Sequence, residues 1–242
     1  MENCRQKDRS LLVTPENKRR EFLKKGLFFG TITGMAGFDL ISCKEQEEEE
    51  VTPGEDLMRE HGLLDRILLV YDTCRLHLAG NEPFPVDMLY GSAQIIRSFV
   101  EDYHEKLEED HLFPRFEKAN QLTDLVKVLR LQHKTGRTLT DEIIQITGKK
   151  IPSEGGENQR LIKLLHDFNW MYRPHKSRED TVLFPAMQHI LPENEYLDLG
   201  EEFEMKEHEL FGEGGFEAMV EKVAGIEKEL GIYDLSQFMP EV

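Results

Sequence analysis

The chain has 242 residues, of which 39% are hydrophobic and 32% are charged, and its formal net charge is -17. This length is sufficient for one domain with a substantial core and an appended segment. Residues 1–42 carry eight basic and five acidic residues, so the remainder carries 22 basic and 42 acidic residues, a net charge of -20. Because such a surface repels phosphate groups, the composition argues against nucleic acid as a partner.

The first 42 residues have the pattern of an export signal. A basic stretch that contains Arg19 and Arg20 is followed by a 15-residue apolar run, Leu27 to Ile41, whereas a helix needs about 20 residues to span a bilayer. The arginine pair before Phe-Leu-Lys resembles the twin-arginine signal, and the sequence up to Cys43 resembles a lipobox. We therefore expect cleavage before Cys43 and lipidation of its thiol. An ordinary amphipathic N-terminal helix is the alternative.

An acidic stretch follows the expected lipidation site. Residues 43–54 include four consecutive glutamates, Glu47 to Glu50. A like-charged run repels itself and buries little apolar area, so this stretch is interpreted as a solvated tether. Together these features predict an exported protein that a lipid anchors to a bacterial cell membrane, on the periplasmic side or at the cell surface.

From Glu55 onward the apolar residues recur with helical spacing. Four such stripes are separated by short segments rich in Gly, Pro and Asn, which favours an all-α fold, an up-down four-helix bundle at residues 55–190. An amphipathic segment at 191–242 is predicted to add C-terminal helices that pack across the bundle. The expected inward positions are Leu57, His61, Leu64, Leu68 and Tyr71; Ala93, Ile96, Val100, Tyr103 and Leu107; Leu122, Val126, Leu129 and His133; and Leu161, Leu164, Phe168 and His175.

An internal repeat relates the two halves of the bundle. The pattern HxxxExxxLFP begins at His104 and again at His175, an offset of 71 residues, while His61 and His133 are offset by 72. Only two copies are present and the period is long, so the pattern indicates a duplicated helical hairpin rather than a repeat array. Two hairpins related by a pseudo-twofold axis place equivalent side chains on opposite sides of one core.

The repeated residues have the chemistry of a metal site. Histidine and glutamate at positions i and i+4 lie on one helix face, and each first helix of a hairpin adds a histidine. Imidazole and carboxylate donors without thiolate suit iron or manganese, and zinc less well. Burying these groups without a metal ion would be costly. The candidate ligands are His61, His104, Glu108, His133, His175 and Glu179.

These motifs resemble the hemerythrin-like, or HHE cation-binding, domain from about Glu55 to Gln188. The resemblance implies two non-haem iron ions at the six candidate ligands, with manganese or zinc as alternatives. It also implies that the protein binds or senses oxygen or another small diatomic ligand such as nitric oxide, or handles iron. An oxidoreductase that reduces peroxide or nitric oxide at the same centre is the alternative, and a purely structural scaffold is the weakest hypothesis.

Two positions bear on how closely the chain resembles the classical oxygen carriers of this family. Arg137 stands where they have a second histidine on the third helix, and Asp180 is the carboxylate that they use on the fourth. On a regular helix Glu179 lies about 40° from the direction of His175 and Asp180 about 140° from it, so geometry and duplication both favour Glu179. Glu105, Asp180 and His208 are left open as additional ligands.

Other side chains are expected to be structural. Cys74 is interpreted as a core residue, and Pro114 and Pro185 are expected to kink or end their helices. Core packing is predicted for the aromatic residues Phe99, Phe113, Trp170 and Phe184.

Overall fold

The computed structural model describes residues 51–149 and 155–240, and within these ranges the chain is helical, with no strand. Four long helices form a closed bundle in which each packs against the next and the fourth packs against the first. The first and fourth are antiparallel, since Lys176 contacts Asp65 while Asp180 contacts His61. The predicted all-α bundle is confirmed. The predictions for Arg19, Arg20 and Cys43 concern residues outside the described ranges.

Helix α1, Pro53–Gly80, begins at a capping box. The Thr52 hydroxyl accepts a hydrogen bond from the Glu55 backbone N–H, and the Glu55 carboxylate accepts one from the Thr52 N–H at 2.9 Å. These bonds satisfy N–H groups that have no partner inside the helix. The helix ends at Asn81, in the left-handed conformation with φ 54°. All five positions predicted to face inward on α1 are buried, and so is Cys74.

Helix α2 runs without a break from Val86 to Lys118, but its hydrogen bonding changes along its length. Its segments are Val86–Ile95, the π-helical Ile96–His104, Glu105–Leu107, the π-helical Glu108–Leu112 and Phe113–Lys118. Helix α3, Thr123–Thr147, is regular. Wide π-type turns inside a helix often accompany functional sites. In α2 they coincide with the residues predicted to bind metal.

Helix α4 repeats part of this pattern. Its segments are Gly155–Arg178, the π-helical Glu179–Leu183 and Phe184–Ile190. Pro114 and Pro185 each lie in the first turn after a π-helical segment, and the helix continues beyond them. Of the two predicted outcomes, a kink or an end of the helix, the structure excludes the end. A first-turn position tolerates proline because its N–H needs no partner within that segment.

Two C-terminal helices, α5 (Glu193–Phe211) and α6 (Gly215–Glu229), pack across α1 and α2 as predicted. The Arg66 guanidinium binds the Glu227 carboxylate with Nε 2.9 Å from Oε1. A short 3₁₀ turn, Leu235–Phe238, follows. Trp170 is 75% exposed, so its predicted role in the core is wrong, while Phe99, Phe113 and Phe184 are buried. None of the described helices combines the length and apolarity needed to cross a bilayer.

Candidate metal centre

The bundle places the six predicted ligands in one group at its centre. His61 comes from α1, His133 from α3, and a histidine and a glutamate come from each of α2 and α4. All six are buried, with at most 4% of any residue exposed. Regular spacing brings them together because His175 and Glu179 are one α-helical turn apart. The residues are His61, His104, Glu108, His133, His175 and Glu179.

The four histidines form two pairs, one in each hairpin. Nε2 of His61 lies 3.1 Å from Nε2 of His104, and Nε2 of His133 lies 3.3 Å from Nε2 of His175. Two imidazole nitrogens that bind one metal ion at about 2.1 Å and at right angles lie about 3 Å apart. Each pair therefore has the separation of two adjacent ligands of one ion.

The two glutamates lie between the histidine pairs. Glu179 has one oxygen 3.0 Å from Nε2 of His175 and the other 3.4 Å from Nε2 of His61. Glu108 has one oxygen 3.3 Å from Nε2 of His133 and the other 3.9 Å from Nε2 of His104. Each carboxylate thus faces both pairs, which is the arrangement needed to bridge two ions.

In the first pair, the outer nitrogens of both rings contact carboxylates. Nδ1 of His104 lies 2.6 Å from Glu60, and Nδ1 of His61 lies 2.6 Å from Asp180. Because an ionised carboxylate can only accept a hydrogen bond, the proton of each ring is on Nδ1. The Nε2 atoms then carry lone pairs that face one another and favour a cation between them.

The second pair has the same geometry with different partners. Nδ1 of His133 lies 3.1 Å from a Glu109 oxygen, and Nδ1 of His175 lies 3.0 Å from the Gln132 amide oxygen. Sequence analysis did not identify these four acceptors. A signal was present, because Glu60 and Gln132 each precede a predicted ligand, while Glu109 and Asp180 each follow one.

The buried carboxylates provide a direct test of whether the site suits a metal ion. Within the described residues, none of the four oxygens of Glu108 and Glu179 accepts a hydrogen bond. Burial, together with the charge of Glu179, raises the pKa of Glu108 well above its usual range. Unsatisfied buried carboxylates are costly unless a cation compensates them. The donor set of nitrogen and oxygen atoms therefore fits a divalent metal such as iron or manganese.

The other candidate ligands do not face the centre. The Glu105 carboxylate accepts a hydrogen bond from the Tyr172 hydroxyl at 2.6 Å and contacts Arg137 at 2.8 Å. Burial raises the pKa of Glu105 to about 8. Asp180 contacts the outer nitrogen of His61, and His208 is exposed on α5.

Arg137 has a defined role behind the centre. Arg137 contacts Glu109 at 2.8 Å as well as Glu105. It therefore holds in place the carboxylate that accepts the hydrogen bond from Nδ1 of His133. The same region requires a glycine at position 136, since a Cβ atom there would lie 2.0 Å from the Tyr172 hydroxyl oxygen. This close approach of α3 to Tyr172 keeps the phenol against Glu105.

Comparison with known proteins agrees with this geometry. Residues 52–187 match the Hemerythrin HHE cation binding domain. The chain belongs to this family of helical, cation-binding proteins. Its six candidate ligands all lie within the matched range.

Similar proteins occur in mycobacteria. The uncharacterized proteins Rv1995 of Mycobacterium tuberculosis and Mb2018 of Mycobacterium bovis are each 48% identical to this chain over 195 residues. The matches cover 81% of this chain and 76% of each relative. No solved structure matches the chain significantly.

Proposed function

We propose that the protein binds two non-haem iron ions, one at each histidine pair, with Glu108 and Glu179 bridging them. The observation that carries this proposal is the position of the two glutamates. Each has its two oxygens directed at different histidine pairs, and no described residue donates a hydrogen bond to them. Two cations would satisfy both carboxylates at once.

The residues present leave room for an additional ligand. One histidine pair and the two glutamates would supply each ion with up to four protein donors, whereas non-haem iron accommodates up to six. Arg137 cannot supply a further donor, because a guanidinium has no lone pair to offer. A pair of ferrous ions can supply electrons to oxygen or nitric oxide. We therefore infer that binding or sensing such a diatomic ligand is the function, with iron handling as a related role.

Apolar side chains shield the centre from water. Phe184 stacks on His61 with ring centroids 5.4 Å apart, and Phe113 stacks on His133 at 5.5 Å. Both phenylalanines come from the repeated LFP motif. An apolar environment limits the access of water to a metal site and strengthens the electrostatic interactions there. The repeat thus supplies the walls of the site as well as its ligands.

The proposal is tested by loading the full chain with ferrous iron under anaerobic conditions and measuring bound metal. We expect about two irons per chain, and reversible optical changes when oxygen is added and removed. Continuous consumption of peroxide would instead favour the oxidoreductase alternative. Substitution of the exposed His208 by alanine is a matched control, and it should leave the iron content unchanged. A single zinc with no uptake of iron would refute the di-iron proposal.

We also propose that the protein is exported and held at a bacterial membrane by a lipid on Cys43. The support is the order of the basic pair Arg19 and Arg20, the short apolar run and the cysteine. Twin-arginine export carries folded proteins, so the metal centre could be assembled in the cytoplasm before export.

A further inference from the structure

The two histidine pairs differ in the groups that accept their outer hydrogen bonds. Within the duplication, Glu60 corresponds to Gln132 and Glu109 corresponds to Asp180. The pair His61 and His104 therefore donates to two carboxylates. The pair His133 and His175 donates to one carboxylate and one neutral amide.

The one carboxylate of the second pair is also closer to basic groups. Glu109 lies 2.8 Å from Arg137 and 2.6 Å from Lys106. The corresponding Asp180 lies 3.9 Å from Lys176. Its hydrogen bond with His61 is 2.6 Å long, whereas that of Glu109 with His133 is 3.1 Å long. Both comparisons give the imidazoles of the first pair the stronger carboxylate acceptors. A further carboxylate, Glu105, lies 4.0 Å from Nδ1 of His133, but it is paired with Arg137 at 2.8 Å.

A carboxylate that accepts the Nδ1 proton of an imidazole makes Nε2 a stronger donor to a metal ion. A neutral amide does so less, because charge-assisted hydrogen bonds are stronger than neutral ones. On the basis of the proposed function, we propose that the two metal positions are unequal. The ion at His61 and His104 is held more tightly, the ion at His133 and His175 is exchangeable, and Gln132 sets the difference.

One geometric feature would favour tighter binding at the second pair instead. Glu108, His133, His175 and Glu179 offer atoms that all lie within 4.8 Å of one another, whereas the group at His61 and His104 includes only Glu108. This difference depends on the rotamers of the glutamates, which can change when an ion binds. The amide of Gln132 cannot acquire a charge, so the difference between the acceptors persists in the loaded protein.

An unequal centre would give the protein a stable state with one ion. At low iron the position at His61 and His104 would be filled and the bridging glutamates would be partly compensated. The second ion would then enter and leave as iron supply changes, and the complete centre would form only when iron is sufficient.

The test is an anaerobic titration of the full chain with ferrous iron in competition with a ferrous chelator of known affinity. We expect two binding steps that differ at least tenfold, the range found when such outer hydrogen-bond partners are altered. Gln132→Glu should tighten the weaker step about tenfold or more. Glu60→Gln should weaken the tighter step by about 10- to 100-fold.

Two further variants assign the steps to positions. His133→Ala should retain the tight step, and His61→Ala should retain only the weak one. Retention of the tight step in His61→Ala, equal affinities in the unmodified chain, or an unchanged weak step in Gln132→Glu would each overturn this inference. Two equal ions would leave the di-iron proposal intact, whereas failure to bind a second ion at any concentration would refute the di-iron proposal itself.

Discussion

Asp180 lies 2.6 Å from Nδ1 of His61, while its neighbour Glu179 lies 3.4 Å from Nε2 of the same ring. Two adjacent carboxylates of α4 therefore contact opposite sides of one imidazole. The helix explains this division, because consecutive side chains point in different directions around its axis. Glu179 faces the centre with His175, and Asp180 is placed to orient His61.

This division predicts different effects of two isosteric substitutions. Glu179→Gln should lose most of one iron, because an amide replaces a bridging carboxylate. Asp180→Asn should still bind two irons when iron is in excess, with an affinity about 10- to 100-fold lower at the His61 position. Iron content and competition titrations of the two full-length variants measure both effects. Loss of iron in Asp180→Asn with full retention in Glu179→Gln would assign the bridge to Asp180, as in classical oxygen carriers.

Substitution of Gly136 tests the contact between α3 and Tyr172. Gly136→Ala should lower the free energy of unfolding by about 1–3 kcal/mol, because its Cβ would overlap the Tyr172 ring and the core would be overpacked. Gly62→Ala is the control, since its Cβ position has nothing within 4 Å apart from its chain neighbours and the backbone of its own helix. That variant should gain up to about 1 kcal/mol from helix propensity. Urea unfolding measures both, and a Gly136→Ala variant as stable as the parent would contradict the contact.

The buried carboxyl group of Glu101 predicts a pH dependence of stability. Burial raises its pKa from 4.5 to about 7, although Thr140 donates a hydrogen bond at 2.6 Å and Arg97 lies 2.7 Å away. The folded state therefore binds this proton more tightly than the unfolded state. The resulting stabilisation is complete below pH 4.5 and is lost as the pH rises through about 7. It amounts to about 3 kcal/mol at most.

Glu101→Gln should remove this dependence. Relative to the parent, the variant should gain stability as the pH rises from 5 to 8. Unfolding in urea with chelator present measures the difference without a contribution from metal binding. Asp102→Asn, at an exposed position next to Glu101, should follow the parental profile. Parallel profiles for Glu101→Gln and the parent would show that Glu101 keeps its charge when buried.

Export is tested by two variants of the N-terminal residues. Cys43→Ala should accumulate as a precursor that is not labelled by fatty acid, because the thiol that accepts the lipid is missing. Replacement of Arg19 and Arg20 by lysine should retain the protein inside the cell. Cell fractionation and fatty-acid labelling measure these outcomes. Normal export of the double lysine variant would indicate the general secretory route and remove the argument for export of a folded protein.

The fold could be predicted because the apolar residues of its helices recur with a regular period in the sequence. Stripes of apolar residues with helical spacing identified four helices, and all the positions named on α1 and α2 are buried. The duplication identified the pairs of histidine and glutamate, because each pair lies one turn apart on an inward face. The prediction for Trp170 is wrong because aromatic character does not by itself indicate burial, and this ring stacks on the exposed His166 at the surface.

The outer hydrogen-bond partners could not be predicted in the same way. Periodicity gives the face on which a side chain lies, but not the atom that it contacts on another helix. Glu60 and Gln132 reach across their own hairpins, whereas Glu109 and Asp180 reach into the opposite hairpin. The π-helical turns are not revealed by the apolar periodicity either. Each of them changes the direction in which the following side chains point around the helix axis.

The histidine pairs each belong to one hairpin, but both glutamates lie at the boundary between hairpins. The two ions would therefore act as cross-links between the halves of the chain, in addition to apolar packing and to ion pairs such as that of Lys176 with Asp65. Removal of metal leaves the carboxylates of Glu108 and Glu179 facing each other at this boundary without a cation between them. The two hairpins should therefore separate there first when the protein partially unfolds. Amide hydrogen exchange should then accelerate along the contact of α1 with α4 and of α2 with α3, while each hairpin remains protected.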